Sequence, residues 1–262
     1  MKILIKLGGT LLDDADSRRR LAGEIAAAAR QHSIVVVHGG GKQMTRYLTE
    51  RGIESRFVNG LRVTTPEILD AVLKIFAGTV NTELVAALRS EGVPAVGLTG
   101  VDAGLVDAQP LNNDLGHVGR PVASDARLLE VLIRGGFLPV VACVAGDSAG
   151  RLYNVNADQM AVACATAFGA EKLVFLTDVD GVRDASGAIR RVLAPEEARD
   201  MIRSGVATGG MQAKLEAALC QLTNATHDNV VEVHICPGSY PGILDTIFYG
   251  GPVGTRLLAT HA

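Results

Sequence analysis

The segment Ile3-Leu4-Ile5-Lys6-Leu7-Gly8-Gly9 sets the pattern of the chain: a continuous apolar run ending in a glycine pair, with a lysine inside it. A run without alternation reads as a strand buried on both faces, and glycines directly after it read as a tight turn into a helix. The motif recurs at Ile34-Val35-Val36-Val37-His38-Gly39-Gly40-Gly41. A third glycine pair, with a second lysine, lies in Thr208-Gly209-Gly210-Met211-Gln212-Ala213-Lys214, at an expected helix start. Strand, glycine turn and helix start together present unpaired N–H groups to an anion. Lys6 and Lys214 beside such turns point to a transferable phosphoryl group, and so to a small-molecule kinase.

Working outward, apolar runs predict strands at Ile3–Leu7, Ile34–Val37, Ala95–Leu98, Leu138–Ala142, Leu173–Leu176, Val230–Ile235 and Arg256–Ala259. Helical patterns separate them near 17–31, 42–51, 66–90, 125–134, 157–168, 195–204, 209–225 and 240–249. Leu21, Ile25 and Ala29 form an amphipathic stripe. Thr65-Pro66-Glu67 is a helix start, with Thr as cap, Pro first and Glu in the first turn. The alternation predicts an α/β fold, a three-layer αβα sandwich around a central, mainly parallel sheet. Ligands in such folds sit beyond the carboxyl ends of the strands. Residues 100–123, rich in Gly, Asp and Asn, read as a β-hairpin projecting from the sheet, either a lid or an ordinary surface hairpin. A change of lobe is expected near Gly169–Lys172, giving lobes 1–171 and 172–262.

Composition narrows the function classes. With 262 residues, 48% of them hydrophobic, the chain can bury a large core. A net charge of −3 and only 4% aromatics, with no Trp, argue against nucleic acid as a partner. Arg18-Arg19-Arg20 is expected to be a solvated helix face. The longest apolar run, Leu138 to Ala145, is too short to span a bilayer, and no signal peptide is legible at the N-terminus. Cys143, Cys164, Cys220 and Cys236 lack metal-knuckle spacing and read as buried small hydrophobes of a reducing, cytoplasmic setting.

The phosphate motif is none of the familiar ones. Gly41-Lys42 is followed by Gln43, so the Walker pattern fails, and Met44 stands where a dinucleotide fingerprint needs its third glycine. Arg62, in Asn59-Gly60-Leu61-Arg62-Val63-Thr64, suits bidentate capture of a carboxylate, or is a surface residue flanking a helix. In Asn154-Val155-Asn156-Ala157-Asp158, Asn156 can be an N-cap and Asp158 a first-turn carboxylate, which leaves Asn154 for a substrate carboxylate. Thr177-Asp178-Val179-Asp180-Gly181-Val182 is either a polar turn closing a strand or the lining of a nucleotide site. His38 reads as a packed or turn-capping imidazole.

Taken together, and with Leu115-Gly116-His117-Val118-Gly119, these motifs resemble the amino-acid kinase family, in its order and over essentially the whole chain. Asn-Gly-Leu-Arg-Val-Thr and Asn-Val-Asn-Ala-Asp resemble the branch that phosphorylates N-acetyl-L-glutamate. The resemblance implies phosphorylation of that substrate's γ-carboxylate by ATP, with Mg²⁺ carried on the nucleotide and no metal ligands from the protein. It implies Lys6 and Lys214 at the phosphoryl group, with Asp158 holding both. It implies N–H groups of Gly8, Gly9, Gly40 and Gly41 on phosphoryl or carboxylate oxygens, and Arg62, Asn154 and Asn156 around the acceptor. ATP would lie against Thr177, Asp178, Val179, Asp180, Gly181, Val182 and Arg183, with Val206, Ala207, Thr208 and Met211. Lys42-Gln43 depart from the Pro-Glu common in relatives, and Lys42 adds a cation near the acceptor. Thr79 and Thr82 replace frequent lysines, and Gly209 an occasional Asp. Arginine-inhibited relatives carry an additional N-terminal helix before the first strand, so a homodimer insensitive to arginine is expected. A kinase of a longer acceptor such as acetylaminoadipate, and a non-catalytic ligand sensor, remain open at this level. A dinucleotide oxidoreductase lacks its fingerprint.

Overall fold

A computed structural model describes residues 1–223 and 232–258. β1 (Lys2–Leu7) leads through a 3-10 turn at Gly9–Leu12 into α1 (Ala15–Ala29), then β2 (Ser33–His38) and α2 (Gly41–Glu50). The short strands β3 (Phe57–Val58) and β4 (Leu61–Arg62) precede α3 (Pro66–Val72), a π-helical segment Leu73–Val80, and α4 (Asn81–Ser90). Next come β5 (Ala95–Thr99), β6 (Val106–Pro110), β7 (Val118–Ser124), α5 (Arg127–Arg134), β8 (Leu138–Ala142), β9 (Val144–Gly146), β10 (Leu152–Val155) and α6 (Ala157–Phe168). The chain continues with β11 (Lys172–Thr177), β12 (Val192–Leu193), α7 (Pro195–Arg203), α8 (Gly209–Thr223), β13 (Glu232–Pro237), α9 (Ile243–Phe248) and β14 (Thr255–Leu258).

The main sheet runs β12-β14-β13-β11-β1-β2-β8-β5. Every neighbouring pair is parallel except β13 with β14. Helices α1, α4 and α9 pack together in one layer, and α6, α7 and α8 in the other. The central strands are buried throughout, from Ile3 to Leu7 with Lys6 included, and from Ile34 to Val37. The αβα sandwich read from the sequence is the fold observed. The expected cap of α3 is present, with Pro66 first and the Thr65 hydroxyl accepting from the Ile68 N–H at 3.2 Å. The α1 stripe is also inward: Leu21 and Ile25 are buried and Ala29 packs against them.

Several readings need correction. The hairpin of residues 100–123 does not project freely. β6 and β7 pair antiparallel, and β7 with β10, β10 with β9 and β9 with β6 close a four-stranded ring. β9, β10 and β12, like the β3–β4 ladder, are too short to show a period in sequence. In the Arg18–Arg20 run only Arg19 is a solvated face. Arg18 donates to the Leu12 carbonyl at 2.7 Å and pairs with Glu83, and Arg20 pairs with Glu24 and donates to the Gly238 carbonyl. Cys143, Cys164 and Cys236 are buried, but Cys220 is exposed. Pro66–Ser90 is long and apolar enough to cross a membrane by composition, yet its Ile68, Val72, Ile75, Phe76, Leu84 and Leu88 sit in the core. It is therefore a core helix. Val230, the last residues of the helix read at 209–225, and Ala259 lie outside the described residues.

Candidate active site

β1, β2 and β11 are adjacent and in register, Leu7 lying opposite both His38 and Leu176. Their carboxyl ends therefore emerge side by side, bringing Gly8-Gly9, Gly39-Gly40-Gly41 and Thr177 to one place. The two glycine turns touch: a β-carbon on Gly9 would fall 2.8 Å from the Gly41 nitrogen. One on Gly40 would fall 2.8 Å from the Phe76 ring. Close approach, of backbone at Gly9 and of the Phe76 side chain at Gly40, explains these glycines without any appeal to positive φ. Gly41 opens α2, whose first N–H groups have no intrahelical acceptor and the dipole of the helix behind them. Gly8 differs from the expectation. Its N–H is donated to the Leu176 carbonyl at 2.9 Å, so it shapes the turn but offers no donor to a ligand.

Three charged side chains meet at this bed. Lys6, on β1, brings its Nζ within 2.8 Å of Asp158 Oδ1, as a close ion pair rather than an aligned hydrogen bond. Lys214, on the second turn of α8, donates to Asp158 Oδ2 at 3.3 Å. Asp158 is fixed in the first turn of α6 by the Asn156 cap, whose Oδ1 accepts from the N–H groups of Asp158 and Gln159. Burial would push the Asp158 carboxyl up, but the two ammonium groups outweigh it and hold the carboxyl below its usual range. Asp158 is thus a permanent anion committed to two cations, not a proton acceptor. His38 is wholly buried, and burial takes its pKa down to about 4. Nδ1 lies 2.8 Å from the Gly39 carbonyl and Nε2 3.0 Å from Asn81 Nδ2, so the neutral ring donates to one and accepts from the other. It is the packed imidazole read from the sequence.

Of the residues expected around an acceptor, Arg62 sits on β4, half-buried over the Phe57 ring at 4.5 Å. It donates to the Ser55 hydroxyl, and to Thr45 Oγ1 at 2.8 Å. Among the described residues no carboxylate pairs with it, and burial lowers its pKa. Asn154, on β10, donates from Nδ2 to Thr64 Oγ1 at 3.0 Å. β10 reaches the Arg62 segment through backbone bonds: Asn154 N–H to the His117 carbonyl, and His117 N–H to the Thr64 carbonyl. Gly116 makes this contact possible, because at φ +64 a β-carbon there would lie 2.4 Å from the Thr64 oxygen. Lys42 is exposed on the first turn of α2. Gln43 is buried, and its Nε2 reaches the Gly9 carbonyl at 3.4 Å. Thr64, Gln43 and Asn81 are buried polar residues beside the expected site residues that the sequence reading did not single out. Their only sequence signal is a polar side chain where the period calls for an apolar one.

The residues expected against the nucleotide begin at the end of β11. Thr177 is buried and donates to Asp178 Oδ1 at 3.1 Å, and Asp180 pairs with Arg183 at 3.0 Å. Gly181 has φ +141. Val179 and Val206 are exposed, Thr208 accepts from Met211 and Gln212 at the start of α8, and Met211 packs partly on the core. Val182 and Ala207 differ from the expectation. Their side chains are core, and their N–H groups are donated to Thr255 Oγ1 and the Met201 carbonyl, while the Val182 carbonyl accepts from the Arg190 N–H at 2.9 Å. The described residues contain no cluster of three His, Cys, Asp or Glu able to hold a metal ion.

The amino acid kinase family model matches residues 1–236. The chain is 60% identical over 259 residues to an acetylglutamate kinase of Solibacter usitatus, covering 98% of this chain and 99% of that protein. It is 40% identical to one of Koribacter versatilis, covering 99% and 100%. Among solved structures, a Streptococcus mutans UA159 protein superposes with a TM-score of 0.83 at 27% identity, covering 99% of both chains. A Neisseria gonorrhoeae N-acetylglutamate synthase, solved with coenzyme A and N-acetyl-glutamate, superposes at 0.87 with 25% identity, and this chain spans 60% of its length. The fold, the glycine bed with its two lysines and these matches agree: the chain belongs to the amino acid kinase family.

Proposed function

We propose that this kinase transfers the γ-phosphoryl group of ATP to the γ-carboxylate of N-acetyl-L-glutamate, forming N-acetyl-L-glutamyl 5-phosphate for arginine biosynthesis. The observation that carries this is Asp158 holding Lys6 and Lys214 together at the glycine bed. A free carboxyl has a pKa of about 4.3 and is already the nucleophile at neutral pH. No base is needed, and Asp158 is not one. The barrier is repulsion. A carboxylate about 4 Å from one phosphoryl charge costs about 4 kcal/mol at an effective dielectric near 20. Two ammonium groups and the N–H groups of Gly9, Gly40 and Gly41 offset this where charge develops, so catalysis is positioning and electrostatics.

Arg62 and Asn154 grip the acceptor's α-carboxylate, with Asn156 beside them. The guanidinium over Phe57 supports this, since a half-buried cation with no carboxylate partner among the described residues is suited to an incoming anion. ATP lies against the Thr177–Arg183 turn and the Val206–Met211 segment, in residues 172–262, and the acceptor lies in 1–171. Both parts share one sheet through the β1–β11 pairing. Mg²⁺ supplies charge neutralisation on the ATP phosphates. It fits as the nucleotide's companion, because Asp158 is spent on lysines and the described residues form no carboxylate cluster. A cytoplasmic homodimer is the assembly we propose. The β5 edge, with half-buried Val96 and Leu98, is where a second copy would pair. Sedimentation with and without arginine tests it, and a hexamer or arginine inhibition would overturn it.

The activity is tested by trapping the acyl phosphate with hydroxylamine under Mg-ATP. N-acetyl-L-glutamate, N-acetyl-L-aminoadipate, glutamate and aspartate are compared, with Lys214→Ala as control. Hydroxamate with N-acetyl-L-glutamate alone, lost in the variant, is expected. Preference for aminoadipate moves the assignment to the longer acceptor, and no product with any acceptor makes the chain a ligand sensor.

A further inference from the structure

Thr64 is fully buried beside the small apolar cluster of Val63, Leu115 and Val118. Packing alone would favour valine there, because a hydroxyl buried without a partner is costly. The hydroxyl is instead fully used. Oγ1 donates to the Arg62 carbonyl at 2.9 Å and accepts from Asn154 Nδ2 at 3.0 Å. A carbonyl can only accept, so the single hydroxyl proton is spent on Arg62, and Thr64 can offer Asn154 nothing but a lone pair. The Asn154 amide therefore turns its nitrogen to Thr64, because the flipped amide would compete with the Arg62 carbonyl for the one hydroxyl proton. The Thr64 backbone is pinned as well, its N–H on the Leu115 carbonyl and its carbonyl under the His117 N–H. One hydroxyl thus links the main chain of Arg62 to the side chain of Asn154, the two residues assigned above to the α-carboxylate.

We propose that Thr64 is a positioning residue for the acceptor's α-carboxylate, its hydroxyl fixing the Asn154 amide so that the remaining N–H, and not the oxygen, meets the anion. The inference rests on the acceptor reading given above. Without the hydroxyl, the amide loses its anchor and samples the flipped state, which sets oxygen against oxygen. The effect belongs to acceptor binding and not to phosphoryl transfer, because Thr64 touches neither lysine nor Asp158 in this arrangement.

The experiment is a steady-state comparison of wild type, Thr64→Val, Thr64→Ala and Thr64→Ser with two acceptors. One is N-acetyl-L-glutamate. The other is 4-acetamidobutanoate, the same molecule without its α-carboxylate. Thr64→Val is expected to raise KM for N-acetyl-L-glutamate about tenfold, the size of one unsatisfied buried donor. KM for 4-acetamidobutanoate is expected to stay within about twofold, since no α-carboxylate is there to be misread. Thr64→Ser restores the wild-type KM. Thr64→Ala repeats the valine result if the valine protein does not fold. Equal shifts for both acceptors, a wild-type KM in the valine or alanine variant, or failure of serine to restore binding would each overturn the proposal. A wild-type protein that phosphorylates neither acceptor overturns the functional reading itself, an outcome separate from any behaviour of the variants.

Discussion

Lys6 and Asp158 meet at 2.8 Å with both side chains more than nine-tenths buried, one near the end of the central strand β1, the other in the first turn of α6. Lys214 reaches the same carboxylate from α8. Two cations, one buried and one partly exposed, thus share one anion, and the local charge is left positive where a phosphoryl group would arrive.

Asp158→Asn removes the only carboxylate that pairs with either lysine among the described residues, and leaves Lys6 buried without a counter-ion. Breaking a buried pair from one side costs about 3–5 kcal/mol. The expected result is a lower urea midpoint by that order, with kcat down about a hundredfold as both ammonium groups drift from their positions. Chemical denaturation and steady-state kinetics check it, and a variant with wild-type stability would show that the pair is not intact in solution.

The neighbouring glycines should separate by what surrounds them. Gly40 is extended, at φ −173, so an alanine there is limited by contact and not by backbone. The new methyl would press on Phe76 and Val80, an overpacking worth about 1–3 kcal/mol. Gly41 has nothing within 4 Å, so Gly41→Ala should fold like the wild type and raise only the KM of the acceptor. Melting curves for the two variants distinguish them.

Acid should destabilise the protein in part through two groups of the site acting in the same sense, beside the likewise lowered His32, His234 and Glu232. His38 is held neutral at a pKa of about 4, against 6.5 for the free ring. As pH falls from 6.5 to about 4 the unfolded chain takes up a proton that the folded one refuses, so stability is lost across that window, by a few kcal/mol in order of magnitude. The depressed Asp158 carboxyl adds stability that is present above its usual titration range and is lost as pH falls below it. The melting temperature is expected to be flat above pH 7 and to drop below 6.5. In His38→Gln the slope between 6.5 and 4 should be shallower, and an unchanged slope would show that His38 does not resist protonation.

Arg62→Lys keeps the charge but loses the planar fork that reaches Ser55 and Thr45 and, in the proposed reading, the acceptor's α-carboxylate. KM for N-acetyl-L-glutamate should rise by about ten- to a hundredfold, with a smaller fall in kcat. Calorimetric titration of the acceptor, without nucleotide, reads the same loss directly.

The core strands, the helices between them and the glycine turns after β1 and β2 were legible because burial and period are local properties of the chain. Ile3–Leu7 and Ile34–Val37 are apolar without alternation because both faces are covered, and Thr65-Pro66 caps a helix wherever it stands. Lys6, Lys214 and Asp158 could be named from their motifs, but no local rule says that β1, α6 and α8 converge. That was decided by sheet order, which sets β1 between β2 and β11 and lays α6 across them. The same holds for the spent N–H of Gly8, the Val182 side chain turned into the core, and Thr64, whose hydroxyl has meaning only because β10 comes to lie beside it. A residue's type and its periodic neighbours determine whether it is buried. Which donors remain free, and which charges face one another, depend on contacts between segments far apart in the chain, and those exist only once the sheet has closed.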